Sequence, residues 1–386
     1  MEQGTGTPKV TVAVSTNNLQ REVQVIDGVA GLVGTSNTMV GEIVTVNSYD
    51  DAVEKGFTIA DEPFLNEAIQ LFYQELGGTT SLRILCVEDT MTLTQMATST
   101  NANGLKKLLN SAQGKITNVG LIRKPSPAYT MVEDHYLDQD VEAALLASKT
   151  LALYQQSINK PVRIFIEGRI NDMTAELFEP KTATNGFAGI VLGNNTNNGS
   201  SSGAVALALA RTVKYPAHVK IGNGQNGPLS ISEAYIGDKH IDDFFPNELD
   251  DLSNAGYIIM HRRETFAGFY FGRDRMASDD DFRILVHGQV IDKAHKIAIS
   301  TLTPLLETDV RLISGGFIHP NDAVDLEETT KQAIRTAMSG QISGVDFKIS
   351  RDQDILTTGT DAMELKILPL GYRTWIKVNL GLTANL

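Results

Sequence analysis

The sequence predicts a layered α/β fold that passes into an α+β region, and three observations predict it. Short apolar runs of strand length alternate with stretches of helical period through the first 245 residues, the mark of buried strands in a largely parallel sheet covered by helices. After Pro246 this rhythm gives way to grouped strands and long helices, which suits a mixed sheet. Both chain ends carry alternating strands joined to the body by glycine- or proline-containing tethers. The expected organisation is an extended arm over residues 1–20, an α/β region over 21–245, a C-terminal mixed-sheet domain over 246–371 and a terminal strand over 372–386.

Gly4, Gly6 and Pro8 loosen the first residues, after which Val10, Val12 and Val14 alternate with small or polar side chains, a strand on a tether. β-Branched runs broken by glycine fill residues 23–46. Asp61 as the cap, Pro63 in the first turn and Leu65, Ala68, Ile69, Phe72 and Leu76 at helical spacing predict a helix that Gly77 and Gly78 end. Strands are expected over 82–87, 118–123, 162–167 and 187–193, with helices over 104–110, 140–158 and 202–211 between or after them. Residues 193–203, all Asn, Ser, Thr or Gly, read as an exposed loop. Beyond Pro246 come a short helix over 248–254, strands over 257–262 and 268–272, and a charged turn over 278–282. The longest helix follows, with Val290, Ala294, Ile297, Ala298, Leu302 and Leu305 on one side. A polar helix over 325–338 and two final strands, 363–367 and 374–380, complete the chain.

The 386 residues carry 33 Lys and Arg against 46 Asp and Glu, and a net charge of −13 repels nucleic acid and anionic lipid. No segment approaches the ~18 unbroken apolar residues of a membrane span, and the start lacks an apolar leader, so folding in a cytoplasm is expected. The single cysteine, Cys86, sits in an apolar run and reads as a buried small hydrophobe rather than a nucleophile.

Residues that could carry chemistry are few. Gly222-Asn-Gly-Gln-Asn-Gly227 matches G-x-G-x-x-G and follows the apolar residues 217–221. Pro228 comes next, and 229–232 reads as a second strand where a phosphate cradle needs a helix N-terminus, so a hairpin or glycine turn fits better. His135, His218, His240, His261, His287, His295 and His319 show no metal-ligand spacing; only His287 and His295 share a helix, two turns apart. Asp279, Asp280 and Asp281 suit a helix N-terminal dipole better than a divalent ion. No catalytic constellation, cofactor site or metal site is expected. The terminal strands can instead add to sheets of neighbouring molecules or pair within the monomer.

The order of segments resembles the contractile tail sheath proteins of phages and contractile injection systems. Val29-Ala-Gly-Leu-Val-Gly34, Val44-Thr-Val-Asn-Ser48 and Ala68-Ile-Gln-Leu-Phe-Tyr-Gln-Glu-Leu-Gly-Gly78 running into Leu82-Arg-Ile-Leu-Cys-Val87 are similar to a sheath opening. Asn254-Ala-Gly-Tyr-Ile-Ile259, a glycine-flanked aromatic strand and Phe282-Arg-Ile-Leu-Val-His287 before a long helix resemble the C-terminal half. Tyr270-Phe-Gly-Arg-Asp274 stands where the commonest pattern has a tryptophan-containing run, which implies a divergent subfamily. The resemblance implies a structural subunit without catalysis, stacked as hexameric rings around an inner tube and contracting to drive that tube through a membrane. Implied partners are further copies of the chain, the tube protein, and baseplate and terminator proteins, with no nucleic acid and no direct membrane insertion. It further implies that Val10, Val12 and Val14, and Trp375, Ile376, Val378 and Leu380, are exchanged between neighbours. The charged helix at Glu327, Glu328, Lys331 and Arg335 is expected to face the tube; its i, i+4 spacing equally suits a self-paired solvated helix. The readings that compete with a sheath are a cytosolic nucleotide- or sugar-phosphate-binding α/β enzyme using Gly222 to Gly227, and another viral structural subunit such as a tube or capsid protein.

Overall fold

In the computed structural model, which describes residues 29–131 and 135–378, the apolar runs become strands of one sheet. Its first part is β1 (Val29–Thr35), β2 (Ile43–Val46), β3 (Leu82–Val87), β4 (Ile116–Ile122), β5 (Arg163–Glu167) and β6 (Ala188–Leu192). The helices are α1 (Tyr49–Glu54), α2 (Pro63–Leu76), α3 (Leu93–Ala97), α4 (Leu105–Ala112), α5 (Gln139–Ser157) and α6 (Ser202–Lys214). A short hairpin of β7 (Tyr235–Ile236) and β8 (Lys239–His240), then α7 (Pro246–Ala255), leads to β9 (Ile258–Arg263) and β10 (Phe266–Phe271). The strand order is β10-β9-β6-β5-β4-β1-β3-β2. Neighbours are parallel from β3 through β9, and the edge strands β2 and β10 are antiparallel. Every residue of β5 and β6 is buried, as strands covered on both faces require. The sheet thus runs on past residue 246, where the composition changes, because β9 pairs in parallel with β6.

The rest of the chain builds a second, smaller body: α8 (Leu285–Leu302), β11 (Leu312–Ile313), β12 (Phe317–Ile318), α9 (Pro320–Ala337), β13 (Ile342–Ile349), α10 (Ile355–Thr358) and β14 (Met363–Pro369). β13 and β14 pair as an isolated antiparallel ribbon, with α9 packed on β13. α8 belongs to both bodies. Leu285 is part of the large core, whereas Val290, Ala294, Ile297 and Ala298 meet Ile334 and Met338 in a separate core. Arg163 at the start of β5 grips Asp292 with Nε at 2.6 Å and Nη2 at 2.7 Å, and both side chains are buried. Gln289 donates to Asn118 Oδ1 at 2.9 Å and Lys296 to the Gly114 carbonyl at 3.1 Å. Breaking one member of such a buried pair costs about 3–5 kcal/mol, since the other charge is then stranded.

Several local expectations change. The α2 N-cap is Glu62, because Asp61 bonds Thr58 while the Glu62 carboxylate takes Ser36 Oγ and the Asn37 and Thr38 amides. Gly77 ends α2 in the left-handed region at φ 66°, as expected of a C-cap. Asp279 to Asp281 do not cap α8, which starts at Leu285 after Ile284; Asp280 instead accepts from the Phe282 amide within the turn. α5, with 19 residues, is longer than α8 with 18, and Leu305 lies beyond α8 in an exposed 3₁₀ turn. Residues 374–378 form no strand, since among the described residues no strand edge pairs with them, and β13 was not anticipated.

Candidate functional site

An open α/β sheet offers its natural ligand crevice where the strand order reverses, at the C-terminal ends of the strands. Here that point lies between β1, which leads to β3 on one side, and β4, which returns to the other. It is filled by the protein's own charges. Arg123, directly after β4, is buried; its backbone amide donates to Glu167 Oε2 at 2.7 Å and its Nη1 to Asp140 Oδ2 at 3.1 Å. The guanidinium lies 4.2 Å from the centre of the Tyr129 ring. Tyr129 donates to Asp138 Oδ1 at 2.6 Å; burial, then the Asp138 carboxylate, pushes its phenol up to about 12. Arg169 donates to the Arg123 carbonyl and, at 3.2 Å, to Glu167 Oε1. Ser200 Oγ and the Ser201 amide donate to the same oxygen at 2.6 Å and 3.2 Å. Residues 193–203 are therefore not an exposed loop: only Thr196, Asn197 and Asn198 are exposed, and the ends are buried by bonds to Glu167 and Asn194. The arrangement ties the loops together through Glu167, Arg123 and Arg169, while Arg123 Nε, Asp138 Oδ2 and Arg169 Nη1 are buried without a hydrogen-bond partner, Arg169 Nη1 lying 3.7 Å from Asp138 Oδ2.

The carbonyls that flank and close the glycine motif also point inward, while Gly224 and Gln225 are exposed. Residues 224–226 form a 3₁₀ turn, so of the hairpin or glycine turn expected it is the turn that forms, and the strand expected over 229–232 is absent. Arg211 of α6 explains why: it donates to Glu75 Oε1 at 2.7 Å and to the Ile221 and Gly227 carbonyls at 2.9 Å each, while Glu75 Oε2 accepts from the Ser230 amide. Backbone carbonyls, not amides, thus face the fixed charge, the reverse of a phosphate cradle. A Cβ on Gly222 would stand 2.2 Å from the Gly272 carbonyl oxygen, so close packing accounts for that glycine.

A cleft of about 1110 Å³ lies beside this loop, bounded by α7, the far ends of β9 and β10 and residues 371–375. Its Arg262 is paired with Asp242 and its Arg263 bonds the Gly222 carbonyl. His287 meets the Asp281 carbonyl and His295 meets Asn159, so the two histidines of α8 do not converge. Among the described residues no cluster of three His, Cys, Asp or Glu could hold a metal, and no helix is long and apolar enough to cross a membrane. Cys86 is buried, and desolvation pushes its thiol up to about 12.

The expected assembly residues fall in three places. Val10, Val12, Val14 and Leu380 lie outside the described residues. Trp375, Ile376 and Val378 are 72%, 76% and 78% exposed. On α9 the four charges divide. Glu327 accepts from the Ile349 amide of β13 and pairs with Arg351, and Lys331 reaches Glu328 at 2.9 Å and Asp346 at 3.8 Å. Glu328 and Arg335 lie on the exposed side. The ionic network at the strand ends was not anticipated, although Glu167 and Arg123 each close an apolar run, which was its signal.

Residues 7–275 match the DUF2586 family in its N-terminal domain. No curated protein matches the chain in sequence. Among solved structures it is similar to a chain of the anti-feeding prophage baseplate, with 13% identity, a TM-score of 0.61 and coverage of 98% of this chain and 99% of that one. The helical sheath of the anti-feeding prophage in its contracted state gives 12% identity and a TM-score of 0.60, over 99% of this chain and 100% of that one. A sheath tail protein of Desulfitobacterium hafniense gives 9% identity and a TM-score of 0.55, over 93% and 100%. The fold is that of contractile sheath proteins.

Proposed function

Since the chain belongs to the DUF2586 family and carries the sheath fold along nearly its whole length, we propose that it is a structural subunit of a contractile tail sheath. In this reading it polymerises as stacked hexameric rings around an inner tube, meets baseplate and terminator proteins at the ends, and contracts to drive the tube through a target membrane. Assembly takes place in a bacterial cytoplasm, and the subunit performs no catalysis. The observation that carries the proposal is the likeness to the helical sheath in its contracted state, which leaves almost no part of either chain unmatched.

β13 and β14 add physical support. A two-stranded ribbon is marginal alone, and neither outer edge has a strand partner among the described residues. Strand exchange would use such edges: Val10, Val12 and Val14 of one neighbour and Trp375, Ile376, Val378 and Leu380 of another would extend the ribbon by main-chain bonds. The enzyme reading has less support, because Glu167 and Arg211 engage the strand-end crevice and the glycine turn in internal bonds.

Negative-stain microscopy of the purified protein tests this. Sleeves or stacked rings are expected, and deletion of residues 372–386 should leave a folded body that forms neither. Uniform small particles from the full chain, or long sleeves from the truncated one, would refute the sheath or the exchange, respectively.

A further inference from the structure

Asp274, three residues past β10, is fully buried, and no hydrogen bond of ordinary geometry reaches either carboxylate oxygen. The cation beside it is Lys220, whose Nζ stands 3.3 Å from Oδ1. The same Nζ lies 4.9 Å from the centre of the Tyr372 ring, and the Tyr372 hydroxyl donates to the His218 carbonyl at 2.8 Å. Three residues on, the Trp375 ring lies 5.2 Å from the Arg273 guanidinium. Burying a carboxylate with so little compensation is costly unless it holds a partner in place. Lys220 thereby lies between the Asp274 carboxylate and an aromatic face, where a partly desolvated cation binds the ring more strongly than in water.

We infer that Asp274, Lys220 and Tyr372 form a charge-dependent clamp that fixes the point at which the C-terminal segment leaves the body. Tyr372 is held against His218 and Lys220 and Trp375 against Arg273, and the exposed Ile376 and Val378 follow from this root. Burial, then the Asp274 charge, pushes the Tyr372 phenol up to about 12, so its hydroxyl remains a donor throughout the neutral range. Asp274 acts as a positioning residue: it touches neither Tyr372 nor Trp375 in any hydrogen bond, yet Lys220 has its place because of it.

The clamp does not rest on the sheath reading and can be tested in the isolated subunit, because Trp375 is the only tryptophan of the chain. Its fluorescence anisotropy reports the segment directly, and tryptic cleavage after Arg373 reports opening. Asp274→Asn and Tyr372→Leu should both lower the anisotropy and speed cleavage by about tenfold, equivalent to about 1.4 kcal/mol. Tyr372→Leu strands no charge, so it decides the matter if Asp274→Asn fails to fold by circular dichroism. Unchanged anisotropy in both folded variants overturns the clamp. Loosening by Tyr372→Leu alone, with Asp274→Asn folded and unaffected, overturns its dependence on charge.

Discussion

At Glu62 a single carboxylate does what a longer turn would otherwise have to do. It accepts from Ser36 Oγ at 2.7 Å, from the Asn37 amide at 2.9 Å, and from the Thr38 amide and hydroxyl at 2.6 Å and 2.7 Å, tying the end of β1 to the start of α2. Burial works to raise this carboxyl, but the hydrogen bonds together outweigh it and hold it below its ordinary 4.5. Glu62 therefore stabilises the fold above pH 4.5, and that contribution is lost as the pH falls through the lowered folded value. Glu62→Gln would place an amide donor against backbone donors, and urea denaturation near pH 7 should show a loss of about 1–3 kcal/mol. The gap between wild type and variant should close on acidification below pH 4.5; a gap independent of pH would remove the carboxylate from the explanation. At this scale little was legible beforehand. Asp61 and Glu62 are equivalent as text, and only the position of the residues 36–38, some 25 away, distinguishes them.

Elements were more readable, because period and punctuation are local. The α2 helix stops at Gly77 as its sequence demands, and β3 occupies the apolar run Leu82–Val87. β13 escaped notice although Val345, Phe347 and Ile349 alternate with polar residues, since Ser343 and Gly344 interrupt the start of the pattern. Residues 374–378 show the converse. Alternation reports the capacity to pair, but a strand exists only where an edge receives it. On α9 the same spacing put four charges in one expectation, whereas β13 engages Glu327 and Lys331 and leaves Glu328 and Arg335 outward. The two pairs should then behave differently. Reversing charge at Glu328 and Arg335 should weaken co-sedimentation with tube protein while sheath still polymerises, and Glu327→Ala should lower the stability of the small body by about 1–3 kcal/mol through the lost bond to the Ile349 amide. Equal effects of both on tube capture would argue against the outward face as the contact.

For the molecule as a whole, both places where an α/β sheet would usually take a nucleotide carry internal ionic bonds. Glu167 closes the reversal point of the strand order and Arg211 fills the glycine turn. A sheath subunit of the proposed kind would draw its work from the difference between two packing arrangements, fixed when the polymer is built. Purified subunits should polymerise spontaneously into the shorter, wider form, with ATP and Mg²⁺ altering neither rate nor length distribution in light scattering and microscopy. Nucleotide hydrolysis that disappears on replacing Gly224 and Gly227 would return the chain to the enzymes. The placement of α8 bears on how such work could pass through one subunit. Eighteen residues make a rod of about 27 Å, pinned at Arg163 and Asp292 to the large sheet and embedded by its other half in the small core. In the proposed sheath a rod fastened in this way would act as a driveshaft: torque applied at the β13–β14 ribbon would be delivered to the large sheet rather than absorbed between them.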